Sequence, residues 1–189
     1  MGEIISGCAD RLIDWVKTCE RVAVSEAATR LPEKPGIYAI FIDHPDSLPE
    51  PFRSCLEKRG NQNLIYVGQA AKNLRTRVWK QECLHQKPGS FFRSVGVILG
   101  YISSRGGKNF EFDDEDKVKV IEWIKQHLSV GWTTGIEGAT IDHAEMTLIN
   151  QSCPLLNLKH NPQRLSRLRK LRSRSRHADS REIVDLPTL

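Results

Sequence analysis

A few residues of this chain stand where they could handle a metal ion or a phosphate. Glu145 lies in a stretch from Asp142 to Ser152 that reads as helix, with Ile141 four residues before it and Leu148 and Ile149 three and four after. That spacing turns Glu145 toward the apolar side of its helix. A carboxylate there needs a partner, because an unpaired buried charge costs several kcal/mol. A divalent cation is one partner. A capping box, with Asp142 as N-cap and Glu145 at N3, is the other, and the segment by itself favours the box. Arg77 poses the same choice. It borders the apolar stripe Leu74, Val78 and Leu84 of a helix expected over 73–85, whereas Arg75 points elsewhere. An inward guanidinium suits bidentate binding of phosphate, and equally an internal salt bridge.

Two of the three tyrosines, Tyr38 and Tyr66, sit one in each of two apolar runs. These runs, Gly36 to Ile42 and Leu64 to Gly68, are short and rich in β-branched residues, so they read as strands. The first is apolar on both faces and is expected at the centre of a sheet. Closeness in sequence makes an antiparallel pair the simplest arrangement. Period-2 alternation puts Tyr38 with Ile40 and Ile42, and Tyr66 with Leu64 and Gly68. Tyrosine is common in strands, so a chemical role requires the two hydroxyls to meet.

Other elements must position these groups. An amphipathic helix is expected through Ile5, Cys8, Leu12, Trp15, Val16 and Cys19, then a short helix from Ser25 as N-cap to Pro32. Residues 43–63 read as loop with at most a short helix. Phe91 to Ile102 is apolar and fits helix or strand equally. Glu115 to Leu128 reads as helix with Val118, Ile121, Ile124 and Leu128 inward. Ser129 to Thr134 fits a third strand. Leu155 to Leu158 is extended, and Pro162 closes the compact region.

Some familiar sites are excluded. His143-x-Glu145 lacks the P-C-x-x-C of a zinc deaminase. Gly106-Gly107-Lys108 lacks phosphate-loop spacing. The six histidines show no paired metal spacing.

Together these pieces resemble the GIY-YIG nuclease superfamily. Gly36-Ile37-Tyr38 matches the first motif and Tyr66-Val67-Gly68 the second. Asn73-Leu74-Arg75-Thr76-Arg77-Val78 is similar to the family's N-L-x-x-R helix, Glu145 to its metal-binding glutamate, and Pro154-Leu155-Leu156-Asn157 to its closing P-x-x-N. The resemblance covers about Pro35 to Pro162. It implies an α/β (α+β) fold, a small three-stranded antiparallel sheet flanked by helices. It also implies a divalent-metal-dependent endonuclease that hydrolyses phosphodiester bonds with water. In that scheme Glu145 holds one Mg²⁺ or Mn²⁺, Arg77 binds a non-bridging oxygen, and Tyr38 is the general-base candidate. A neighbouring cation would have to lower its ordinary pKa of about 10. Tyr66 orients water or phosphate, and Asn157 fixes the geometry. Two departures stand out: a longer loop between the tyrosine motifs, and Gln81 where many relatives carry His. His85 lies one turn further on.

Charge points to the same class of partner. Of 28 Lys and Arg, nine fall between Lys159 and Arg181 with one acid, Asp179, leaving 19 bases against 22 acids elsewhere. Arg164, Arg167, Arg169, Lys170, Arg172, Arg174 and Arg176 are therefore candidates for gripping a nucleic-acid backbone. Leu165, Leu168 and Leu171 suggest that the segment begins as a basic helix packed on the domain. From Ser173 onward its Ser/Arg mix reads as disorder. The expected division is a helical extension over 1–34, a nuclease domain over 35–162 and a basic tail over 163–189. DNA is the expected partner and RNA the second choice. Alternatives are a binding module with a degenerate nuclease fold, for which Gln81 is the one hint, and an RNA-directed nuclease. Nothing in the 189 residues reads as a signal peptide or a membrane span. Five scattered cysteines without a C-x-x-C pair suggest reduced thiols and a cytoplasmic protein.

Overall fold

The computed structural model describes residues 11–136 and 139–177. Helix α1, residues 11–18, comes first; Ile5 and Cys8 of its expected stripe lie outside the described residues. There follow β1 (Val22–Ala23), a 3₁₀ turn (Val24–Glu26) and α2 (Ala27–Arg30). Ser25 sits inside that 3₁₀ turn instead of capping a helix, and Glu26 is the residue before α2. Strand β2 (Gly36–Ile42), helix α3 (Phe52–Glu57) and strand β3 (Leu64–Ala70) lead to a π-helix (Arg75–Cys83). The chain continues through α4 (Ser90–Ile98), α5 (Asp114–His127), β4 (Leu128–Thr134), α6 (Ala139–Ser152) and α7 (Ser166–His177).

The sheet is antiparallel in the order β1-β4-β2-β3. It has four strands and not the expected three, because two residues after α1 pair with Val130 and Ser129. Strand β2 is central and every residue of it is buried, as its two-sided apolar pattern demands. Gly36 is required by close approach: a Cβ there would run into the Thr133 carbonyl and the Leu74 side chain.

Helices cover both faces. On one, Leu12 and Val16 of α1 and Ile141, Ala144, Leu148 and Ile149 of α6 pack on Ile37, Ala39, Phe41 and Val67. On the other lies the larger cluster, with Tyr38, Tyr66, Val78, Phe91, Phe92, Ile124 and Leu168. A bulge between Ile40 and Phe41 changes the pairing of β3, so Ile65 joins the Tyr66 face and Leu64 turns to the opposite one. The simple alternation that placed Leu64 beside Tyr66 is corrected by that extra residue.

One open choice is decided and two helices differ from expectation. The Phe91 region is helix, with Phe91, Phe92 and Val95 buried. In α5 the inward residues are Val120 and Ile124, while Val118 is 53% exposed. The α5 start is fixed by Asp113, whose side chain accepts from the Asp116 amide at 2.8 Å. Helix α7 continues to His177, so the expected disorder from Ser173 is overturned at least that far. It persists because Leu168, Arg172 and Ser175, at i, i+4 and i+7, are buried against the domain. Among the described residues no helix is long and apolar enough to cross a membrane.

Candidate active site

Strands β2 and β3 bring the two tyrosines together. Tyr38 pairs across from Gly68 and Ile40 across from Tyr66, so the tyrosines are diagonal neighbours on one face, with ring centroids 6.3 Å apart. Gly68 makes room for this: a Cβ on it would collide with the Tyr38 hydroxyl. Asn157 holds the outer side of β3. Its Oδ1 accepts from the Val67 amide at 2.9 Å and its Nδ2 donates to the Val67 carbonyl at 2.8 Å. It thus satisfies edge-strand groups as another strand would. Asn161, unanticipated from sequence, donates to the carbonyls of Asn157 and Pro154 at 3.0 and 2.6 Å. Arg59, from the long loop, donates to the carbonyls of Pro154 and Gln163 at 3.2 and 2.6 Å. The insertion therefore braces the P-x-x-N turn.

The π-helix builds the charged half of the site. Its i→i+5 bonding stacks residues five apart. Arg77 Nη2 accordingly lies 2.7 Å from Glu82 Oε1, five residues on, while Nη1 donates to Gln81 Oε1 at 2.9 Å. The ion pair weighed against phosphate binding is therefore present. The Arg77 side chain nevertheless keeps 31% exposure, whereas that of Glu82 has none. Glu82 Oε1 also accepts from the Tyr38 hydroxyl at 3.4 Å, and Oε2 from the Phe91 amide at 3.1 Å. Burial pushes the Glu82 carboxyl up, opposed by Arg77 and by the amides of Phe91 and Phe92. For Arg77, burial works downward but is outweighed by Tyr38, Glu82 and Tyr66, and the guanidinium stays charged.

Glu82 was missed by reading the segment as an α-helix. The π-turn also buries Cys83 in the core and leaves Leu84 only partly buried, which corrects the expected stripe. The trace in the sequence is a five-residue spacing, Leu74, Trp79 and Leu84, with Val78 and Cys83 alongside.

Helix α6 begins at Ala139, so Asp142 and Glu145 lie inside it and form no capping box. Its apolar face holds Ile141, Leu148 and Ile149 as the spacing required. Glu145 is half-buried and lines a cavity of about 500 Å³ with Tyr66, Asn157, Lys159, Arg169, Arg172 and other residues. It makes no ion pair among the described residues. Burial raises its carboxyl, opposed by a hydrogen bond from Gln69 and by the charge of Arg77. Gln69 also donates to Asp142. Among the described residues no group of three or more His, Cys, Asp or Glu could hold a metal. A single unneutralised carboxylate facing a cavity suits a hard cation that keeps its waters and takes its other ligands from phosphate. The donor set thus fits Mg²⁺ or Mn²⁺ and not a thiolate or imidazole metal.

The tyrosines are not equivalent. Tyr66 lines the cavity; Tyr38 is fully buried behind it. Burial lifts both phenols above their ordinary range. Glu82 adds to the rise and Arg77 opposes it. At Tyr38 burial and the Glu82 charge outweigh Arg77, so this neighbouring guanidinium does not bring the phenol down. His85 is not part of this cluster. It stacks on Phe92 at 4.2 Å, and its charged neighbours are Arg93, Glu111 and Lys117. Of the basic C-terminal candidates, Arg169, Arg172 and Arg176 line the cavity, and Arg172 is buried in its wall. Arg164, Arg167, Lys170 and Arg174 are exposed.

An antiparallel sheet whose central and edge strands each offer a tyrosine, with an arginine and a glutamate from flanking helices, makes this a mixed α/β domain. The chain matches the model of the GIY-YIG catalytic domain over residues 36–176 and belongs to that family, which is one of nucleases. No curated protein and no solved structure matches it.

Proposed function

We propose that this protein is a divalent-metal-dependent endonuclease that hydrolyses DNA phosphodiester bonds with water as the nucleophile. The observation that carries the reading is the Glu145 carboxylate, hydrogen-bonded by Gln69 but without an ion pair among the described residues, in one cavity with Tyr66, with Arg77 and Tyr38 in electrostatic reach of it. Glu145 would hold the cation. When bound, that ion stabilises the leaving 3′ oxygen and the charge gathering on phosphorus. Arg77, aimed by Glu82 and Gln81, binds a non-bridging oxygen of the scissile phosphate. Tyr66 faces the substrate as a neutral phenol and hydrogen-bonds its oxygen atoms.

Tyr38 is the general base, and Glu82 removes the need for a free phenolate. The Tyr38 hydroxyl is sealed in the free protein, so a bound strand must open a path for the water; the oxygen then takes the water proton as Tyr38 passes its own to Glu82 Oε1. Glu82 is the one carboxylate among the described residues that hydrogen-bonds either phenol. Asn157 keeps β3 in register. The nuclease domain takes in α7, whose Leu168 is in the core, and the exposed α7 bases meet the backbone of the bound strand. The four described cysteines are free, in keeping with the cytoplasm.

The test is cleavage of matched DNA and RNA oligonucleotides in Mg²⁺ by wild type, Tyr38→Phe and Tyr66→Phe. Tyr38→Phe is expected to lose activity by about 10³-fold or more and Tyr66→Phe by about tenfold to a hundredfold. Abolition by Tyr66→Phe alone would move the base to Tyr66. Cleavage confined to RNA would overturn the DNA assignment.

A further inference from the structure

Among the described residues Arg172 is a buried charge without a counter-ion. It is 7% exposed. Its Nη1 donates to the Ser90 and Ser94 hydroxyls, each at 3.2 Å, and its Nε has no partner. It makes no ion pair with any described residue. Its charged neighbours are mostly of its own sign: Arg93, which is 7% exposed and also has an unpartnered Nε, and Arg176. Glu82 and Tyr66 attract it from further off without pairing. Burial, with Arg93 and Arg176, draws its pKa down to about 10. Gathering three guanidiniums around one buried position is unfavourable unless an anion joins them, because an uncompensated buried charge costs several kcal/mol. A leucine packed between α4 and α7 would be more stable for the free protein.

The position of Arg172 says which anion. Arg169, Arg172 and Arg176 recur at i, i+3 and i+7 on α7, so one stripe of that helix faces the cavity that Tyr66 and Glu145 also line. Lys159 and His160 border the same cavity. The Ser90 hydroxyl, which accepts from Arg172, is also hydrogen-bonded to Tyr66. Arg172 is thus one hydroxyl away from the scissile-phosphate site, and Arg77 already serves that site. We propose that Arg172, with Arg169 and Arg176, seats the backbone phosphate next to the scissile one. The cleft then takes a nucleic-acid strand and not an isolated phosphodiester. This rests on the nuclease reading above.

The experiment is a neutral-phosphate scan. The cut site of a strand that wild type cleaves is mapped, and a single methylphosphonate is placed in turn at each flanking phosphate. With the wild-type full chain, one flanking position is expected to lose about tenfold to a hundredfold in kcat/KM, the worth of a charge-assisted contact. Arg172→Gln is expected to cut the unmodified strand slower by a similar factor and to lose nothing more at that position. On bis-p-nitrophenyl phosphate, which has no neighbouring phosphate, the loss caused by Arg172→Gln should be clearly smaller than on the strand. Absence of any sensitive position in wild type overturns the proposal, as does full sensitivity retained by Arg172→Gln. If Arg172→Gln fails to fold, the wild-type scan and the exposed variant Arg176→Gln carry the same test. A wild type that cleaves no strand refutes the nuclease reading instead. Anisotropy of the same scanned strands bound to Glu145→Ala, with and without Arg172→Gln, then measures the seat by itself.

Discussion

Two arginines, Arg172 on the wall of the cavity that Glu145 lines and Arg77 in electrostatic reach of Glu145, are treated in opposite ways. Arg77 is matched: a fully buried carboxylate sits 2.7 Å from it, and Gln81 takes its second nitrogen. Arg172 is more buried than Arg77 but has two serine hydroxyls and no acid. A guanidinium that must meet a reacting phosphate at a fixed angle gains from a partner that sets its orientation. One that only has to attract a strand gains from charge left unbalanced until the strand arrives. On the proposed reading, balance goes with chemistry at Arg77 and imbalance with binding at Arg172.

Breaking the balanced side should have the larger effect. On the proposed reading Arg77→Ala removes a contact to the scissile phosphate, and it strands Glu82 in the core. Its kcat is expected to fall by about 10³-fold. Its unfolding free energy should fall by about 3 kcal/mol, measured by urea titration beside single-turnover cleavage. Glu82→Gln separates the two consequences. The amide oxygen can still accept from Phe91 and no charge is buried, but the amide NH2 then faces the Arg77 guanidinium, so the stability loss should be smaller than that of Arg77→Ala. Cleavage is expected to fall by about a hundredfold because Tyr38 loses its proton acceptor. Unimpaired cleavage by Glu82→Gln would reduce Glu82 to a counter-ion for Arg77.

His85 sharpens the comparison from outside the site. Burial draws its pKa from 6.5 down to about 4, with Arg93 and Lys117 acting the same way against Glu111. Between those values the unfolded chain binds the proton and the folded chain does not. Stability is therefore complete above pH 6.5 and falls as the pH drops toward 4. His85→Phe keeps the stacking on Phe92 and removes the titration. Wild type should lose about 1–2 kcal/mol more than the variant between neutral pH and pH 4. An equal loss in both would place the acid sensitivity on other groups.

Legibility followed the regularity of the backbone. Tyr38, Tyr66 and Gly68 were placed by period-2 alternation, which a sheet enforces, and the inward turn of Glu145 by ordinary helical spacing in α6. Leu64 went to the wrong face because one bulged residue inverts everything beyond it. Glu82 and Cys83 escaped because a π-helix repeats on a different period from the α-helix assumed for the segment. β1 is two residues long and exists through pairing with β4, a long-range contact that no local pattern announces. The basic segment was read correctly as a concentration of charge. Its division into an exposed set and a cavity stripe depended on where Leu168 anchors α7.

The most direct test of the account is supercoiled-plasmid cleavage in Mg²⁺ or Mn²⁺ by wild type beside Glu145→Ala, with DNA binding measured on both. The expected result is nicked or linear product from wild type alone, only with the cation present, while Glu145→Ala still binds the plasmid. Cleavage by Glu145→Ala at the wild-type rate, or by wild type in excess chelator, would contradict it.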